Sequence, residues 1–221
     1  MSCDNILESG PHLPRRRLFI QMSGAPGSGK STTAELLGQA LHAVVIDHDI
    51  IKSTLLDDDS GISFEQAAKS AYRLDWALAE ATMKQGWSVI IDSTCNFKEI
   101  LDQGTKLAGL YGHEYWYIEC RVRVSDMVML DERLRGRVPL RSQRAGVDLA
   151  PVDVNVVDDG AGSRAGEDSR ELFRRWIENP CRPDGEASVY VVAVDSTASP
   201  MERRDCVLER MRLLNSSPSF P

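Results

Sequence analysis

Apolar residues along this chain come in two rhythms. Short runs, RLFIQMS at 17–23, AVVID at 43–47, WSVIID at 87–92, YWYIECRV at 115–122 and SVYVVAVD at 188–195, are almost continuously apolar and rich in β-formers. Between them, apolar positions recur at spacings of three and four, the period of a helix with one buried face. Strand-like runs alternating with helical segments predict an α/β fold, a parallel sheet with crossover helices. Helices are expected over 30–42, 63–85, 97–111, 125–135, 167–178 and 200–214. In FEQAAKSAYRLDWALAEATMKQG the helical pattern is sustained, and Gly86 provides a stop. Tyr72 and Trp76 on that helix read as packing residues.

One stretch breaks the rhythm. GRVPLRSQRAGVDLAPVDVNVVDDGAGSRAG, 136–166, is rich in Gly, Pro and Arg and has no sustained period. A structureless insertion of this length inside a compact domain reads as a mobile lid. The expected organisation is a loose leader at 1–16, a single domain at 17–215 and a tail at 216–221. The leader's RRR can also dock on the domain.

Composition narrows the picture. A chain of 221 residues is long enough for one well-buried α/β domain. A hydrophobic fraction of 42% and a charged fraction of 27% are those of an ordinary soluble protein. No apolar run reaches the roughly 18 residues of a membrane span, and the first residues lack the apolar core of a signal peptide. The net charge of −7 argues against a broad nucleic-acid surface. Cys3, Cys95, Cys120, Cys181 and Cys206 are scattered without C-x-x-C spacing, so reduced thiols in a cytoplasmic setting are expected.

Candidate chemistry begins after the first strand. GAPGSGKST, residues 24–32, matches G-x-x-x-x-G-K-[ST] between a strand and a helix. Gly24, Gly27 and Gly29 let the backbone curl so that the N–H groups of this loop, those of Ala25 and Ser28 included, surround phosphate oxygens, with Pro26 as part of the loop but not a donor. The helix that follows, carrying Lys30, Ser31 and Thr32, adds its positive end. Lys30 suits the β- and γ-phosphates, and the Ser31 hydroxyl suits Mg²⁺.

Ligands of open α/β sheets bind beyond the carboxyl ends of the strands. Two such ends carry acids: VVIDHD places Asp47 and Asp49 past the second strand, and SVIIDST places Asp92 at the tip of the third. Asp92 suits the metal side of a phosphoryl-transfer site. Asp49, opening a helix on the acceptor side, suits a base. The competing reading for both is a helix N-cap. His48 between the acids reads as a loop residue. In DERLRGRVPLRSQR, Arg137 and Arg141 suit a closing lid that supplies charge in the transition state, whereas Arg133 suits a solvated helix face.

These pieces, in this order, resemble the small P-loop kinases of the polynucleotide-kinase-like group, which shares features with zeta toxin, adenylylsulfate kinase and shikimate kinase. The resemblance covers about residues 18–144 and the closing strand VYVVAVDS. It implies a P-loop NTPase three-layer sandwich with a five-stranded parallel sheet in the order 2-3-1-4-5. It also implies a general base at Asp49, substrate binding at Lys52, a metal-side acid at Asp47, a lid arginine at Arg141 and Arg137 beside the nucleotide. Lys52 stands where polynucleotide kinases of the group carry Arg.

The sequence therefore predicts an ATP- and Mg²⁺-dependent kinase acting on a hydroxyl of a small molecule, with no membrane association. A polynucleotide 5′-hydroxyl kinase is the first alternative, and the acidic balance with Lys52 weighs against it. An NTP-hydrolysing switch or binding protein is the second; its guanine motif N-K-x-D does not occur in the chain.

Overall fold

The computed structural model describes residues 16–57, 61–94, 96–151 and 168–216. The elements run β1 (Leu18–Ser23), α1 (Lys30–Leu41), β2 (Val44–Asp47), α2 (His48–Asp57), α3 (Phe64–Lys84), β3 (Val89–Asp92), α4 (Lys98–Leu110), β4 (Glu114–Arg121), α5 (Met127–Arg135), β5 (Arg144–Gly146), β6 (Leu149–Pro151), α6 (Ser169–Glu178), β7 (Val191–Asp195) and α7 (Pro200–Ser216). All five strands of the main sheet are parallel, in the order β2-β3-β1-β4-β7. This is the expected order; its last strand is the seventh of the chain because a hairpin intervenes.

That hairpin corrects the reading of 136–166 as irregular. Arg144 pairs with Pro151 and Gly146 with Leu149 in an antiparallel ladder. Strands of three residues are too short to leave a period in the sequence. The remainder of the expected lid, 152–166, lies outside the described residues, as do 1–15 of the expected leader and 217–221 of the tail. Arg16 does dock on the domain, its Nε donating to Glu114 at 3.1 Å.

The sheet is buried from both sides, hence the continuous apolar runs. On one face Leu18, Ile20 and Met22 pack with Ala34, Leu37, Val207 and Met211 of α1 and α7. On the other, Phe19 packs with Ala79 and Met83 of α3 and Leu101 and Leu107 of α4. Trp76 stacks on Phe19, centroids 6.4 Å apart, and is the packing residue the sequence predicts. Gln21, the polar residue of β1, is fully buried and satisfied: it accepts from Tyr115 Oη at 2.8 Å and donates to the Ile100 carbonyl at 3.0 Å. A third cluster, with Leu130, Leu134, Val147 and Phe173, fastens α5, the hairpin and α6 beside the loop after β1.

Local signals set the helix starts that frame the site. Ser63 and Gln66 form a reciprocal capping box on α3, and Ser199 with Glu202 does the same ahead of Pro200 on α7. The helix α1 begins differently. Its N-cap, Gly29, has no side chain to engage the first N–H groups, which leaves them available to an anion.

Candidate active site at the carboxyl ends of the strands

A cleft of about 530 Å³ opens where β1, β2 and β3 end. The loop 24–29 forms its floor. Gly24 has φ +136°, and a Cβ there would stand 2.5 Å from the Cys120 carbonyl oxygen. Gly29 has φ +88° with the Arg203 guanidinium against it, 2.6 Å from the place of a Cβ. The backbone angle disfavours other residues at both positions, and at Gly24 the Cys120 backbone also leaves no space for one. Lys30 reaches back along the loop, Nζ donating to the carbonyls of Gly24 (2.8 Å) and Ala25 (3.3 Å). Pro26, Gly27, Ser31 and Thr32 line the cleft.

Asp92 is 4% exposed and accepts a hydrogen bond from the Ser31 hydroxyl, while its Oδ1 has no partner. Burial pushes its carboxyl up to about 7; the charges of Asp47 and Asp49 reinforce the shift, and Lys30 and Ser31 oppose it. Asp47 does not enter the cleft. Its Oδ1 accepts from the amides of Asp49 (2.8 Å) and Ile50 (3.1 Å), so it is the N-cap of α2, and burial raises its pKa in turn. The structure thus assigns the capping role to Asp47 rather than to Asp49 or Asp92. Among the described residues no three His, Cys, Asp or Glu side chains converge on a common point.

Asp49 lines the cleft from the first turn of α2. Gln143 Nε2 donates to its Oδ2 at 2.9 Å, and the Ser142 hydroxyl donates to its carbonyl at 3.1 Å. Ser53 Oγ donates to Ser142 Oγ at 2.9 Å and accepts from the Ser142 amide at 3.1 Å. The segment before the hairpin is therefore docked along α2. Arg137 lines the same cleft; its Nη2 donates to the Arg144 carbonyl at 3.2 Å, and its buried Nε has no partner. Burial lowers its pKa, and the Asp49 charge partly restores it.

Arg141 departs from expectation. It donates to the Leu56 carbonyl at 2.7 Å and to Asp57 at 3.1 Å, at the far end of α2, and does not line the cleft. Arg141 and Ser142 sit in the turn closed by the Gln143 amide on the Leu140 carbonyl at 2.9 Å, and the two side chains reach different partners along α2. Lys52 is 8% exposed, on the cleft wall, with Nζ 3.6 Å from the Phe64 ring centroid. Arg133, expected to be solvated, bridges to the Ser196 carbonyl at 3.1 Å and lines the cleft beside the turn 197–200.

Several cleft residues escaped the sequence reading. Gln143 and Ser142 sit inside the arginine-rich stretch, where attention to charge passed over them. Arg203, nearly buried, donates to Thr33 Oγ1 at 3.1 Å and to the carbonyls of Ser196 and Ala198. Tyr72 lines the cleft rather than the core, its ring tilted against that of His48 with centroids 4.2 Å apart. His48 is helical, not a loop residue, and is paired with Asp75.

A parallel sheet in this order, a glycine loop at the end of its central strand and a capless helix after it define a P-loop fold whose loop and helix start suit a phosphate. The chain belongs to the AAA domain family, whose pattern it matches over residues 19–154. Its fold is similar to that of a protein from Chloroflexus aurantiacus assigned as a kinase (TM-score 0.62, 19% identity, 92% of this chain and 99% of that one). It is also similar to a gluconokinase from Sinorhizobium meliloti (0.54, 19%, 90% and 95%). A third similar structure is the Mycobacterium tuberculosis APS kinase in complex with AMPPNP and APS (0.52, 18%, 90% and 99%). No curated protein matches the sequence. Among the described residues no helix is long and apolar enough to cross a membrane.

Proposed function

We propose that the protein is an ATP- and Mg²⁺-dependent kinase that transfers the γ-phosphoryl group to a hydroxyl of a small molecule. The observation that carries the reading is a pair of buried, unpartnered atoms of opposite charge on one cleft, Asp92 Oδ1 and Arg137 Nε. An unmet buried polar group costs about 1–3 kcal/mol, and more when charged, unless a ligand engages it. Phosphoryl transfer supplies a partner for each. Asp92 and Ser31 fit a Mg²⁺ ion, which takes one or two protein oxygens and completes its shell with water and phosphate. Bound there, the ion would neutralise charge on the β- and γ-oxygens. Arg137 fits the phosphoryl oxygens themselves.

The chain's own residues then divide the work. The N–H groups opening α1 and the Lys30 ammonium hold the phosphates. Asp49, oriented by Gln143, accepts the proton of the acceptor hydroxyl as its oxygen bonds to the γ-phosphorus. The bond from that phosphorus to the bridging oxygen breaks, and ADP leaves. Arg137 offsets the charge that builds on the transferred group. The turn 197–200 and Arg133 bound the opposite end of the cleft, with space for the nucleoside part. The segment ahead of the hairpin acts as the lid and presents Arg137 and Gln143, but not Arg141, to the cleft.

A small acceptor is supported by the size of the cleft, within the range of small-molecule sites, and by its aromatic wall. The names of similar folds, a gluconokinase and an APS kinase, point the same way. The test is transfer from γ-labelled ATP to a panel of hydroxylated small molecules and a 5′-hydroxyl oligonucleotide. Small molecules become labelled, and Lys30→Ala lowers turnover by about a hundredfold or more, on the order of 3 kcal/mol. Unchanged turnover in Lys30→Ala refutes the reading. Labelling of the oligonucleotide alone, with a steep loss between about 50 and 200 mM salt, replaces it with a polynucleotide kinase.

A further inference from the structure

The acceptor side of the cleft holds a built pair that phosphate chemistry does not use. His48, the first residue of α2, and Asp75, midway along α3, meet with Nδ1 2.7 Å from Oδ2. Their side chains are 9% and 0% exposed. Asp75 interrupts the stripe of Ala67, Ala71, Ala79 and Met83 that α3 otherwise buries. Packing alone does not ask for a carboxylate there. With Nδ1 engaged by Asp75, Nε2 is the ring's remaining polar atom, and His48 lines the cleft.

The wall beside it is flat and apolar. Tyr72 packs against the imidazole with the rings tilted by 32°, and Phe64 and Ala68 precede it at four-residue steps on one face of α3, all three lining the cleft. Ala68, the smallest of the row, leaves space between the two rings. The Lys52 ammonium over Phe64 closes the far end.

We infer that His48, held by Asp75, selects the acceptor by binding a second hydroxyl beside the one that Asp49 activates, so that the substrate is a ring-shaped polyol laid against Tyr72 and Phe64. The inference rests on the kinase reading. A hydroxyl both donates and accepts, and so serves Nε2 in either protonation state of the imidazole. His48 and Asp49 are sequence neighbours on a helix, and their side chains diverge. A single ligand engages both by presenting one hydroxyl to each, as a ring diol does. The C–H face of such a ring packs on the aromatic wall.

The experiment compares acceptors that differ by the neighbouring hydroxyl: D-ribose with 2-deoxy-D-ribose, D-glucose with 2-deoxy-D-glucose, adenosine with 2′-deoxyadenosine, and myo-inositol with cyclohexanol. Glycerol and ethanolamine serve as acyclic acceptors. At least one ring diol is phosphorylated, and its partner lacking the hydroxyl is poorer by about tenfold or more in kcat/KM. His48→Phe, which keeps a ring against Tyr72, brings the ratio to within about twofold by raising KM for the diol. His48→Gln, able to donate and accept, preserves part of it. Because His48→Phe leaves Asp75 without its partner, His48→Phe/Asp75→Leu is measured alongside and shows the same collapse. A ratio that survives both Phe variants overturns the inference, as does labelling of acyclic alcohols but of no ring. Calorimetry with Mg·ATP separates the two levels. Absent nucleotide binding in the wild type brings down the kinase reading, whereas intact binding with an unchanged ratio brings down only the role of His48.

Discussion

Replacing Asp92 with Asn should make the ligand-free protein more stable while impairing what it does. The Asp92 carboxyl ionises near 3.8 in the unfolded chain and is pushed up to about 7 in the fold, chiefly by burial. The folded state therefore holds the proton to higher pH than the unfolded state does. The contribution of this group is fully present below pH 3.8 and is lost as pH rises through about 7. The two ionisations lie about three pH units apart, which corresponds to about 4 kcal/mol at alkaline pH and to about 2–3 kcal/mol between pH 5 and pH 8. At 4% exposure little solvent screening reduces this figure. Asn keeps the shape and the bond to Ser31 without the charge. Urea denaturation of both proteins in EDTA, at several values between pH 5 and pH 8.5, isolates the group, since every other residue is common to the pair. The stability advantage of Asp92→Asn should grow by about 2–3 kcal/mol over that range, and Mg·ATP should stabilise the wild type more than the variant. A stability difference independent of pH, or one that shrinks as pH rises, refutes the account of a carboxylate held in the cleft for a cation.

Arg137→Ala should lower kcat more than it raises KM for ATP, by about a hundredfold in steady-state assays, whereas Arg141→Ala should stay within a few-fold of wild type because its partners lie at the end of α2. Asp49→Asn should abolish transfer while calorimetry finds Mg·ATP affinity within a few-fold, a base contributing little to ground-state binding. Gly24→Ala should prevent nucleotide binding and lower the melting temperature, since a Cβ meets the Cys120 carbonyl at 2.5 Å with φ at +136°.

The phosphate loop was legible because its chemistry is local. Gly24, Gly29, Lys30 and Ser31 act through backbone conformation and a helix start within eight residues, and spacing alone specifies both. The partners of Asp49 were not legible. Gln143 stands 94 positions away and meets it only after the segment before the hairpin docks along α2. Asp75 did leave a trace, an acid at a buried step of an alanine stripe, although nothing in the chain names His48 as its partner. Arg141 shows the opposite error. Two arginines four residues apart look equivalent in sequence, yet one enters the cleft and the other caps the end of α2.

By itself the sequence determined the alternation of buried strands and amphipathic helices, and with it a parallel sheet whose strand ends carry a phosphate loop and three acids. Hydrophobic periodicity and backbone chemistry act over short spans, so a linear pattern encodes them. Tertiary structure decided which acid caps a helix and which faces the cleft, which arginine is left with an unmet nitrogen, and that a histidine held by a buried aspartate lies beside the aromatic wall of the cleft. Those outcomes depend on burial and on partners distant in the chain, quantities that exist only once the sheet has brought its strand ends together.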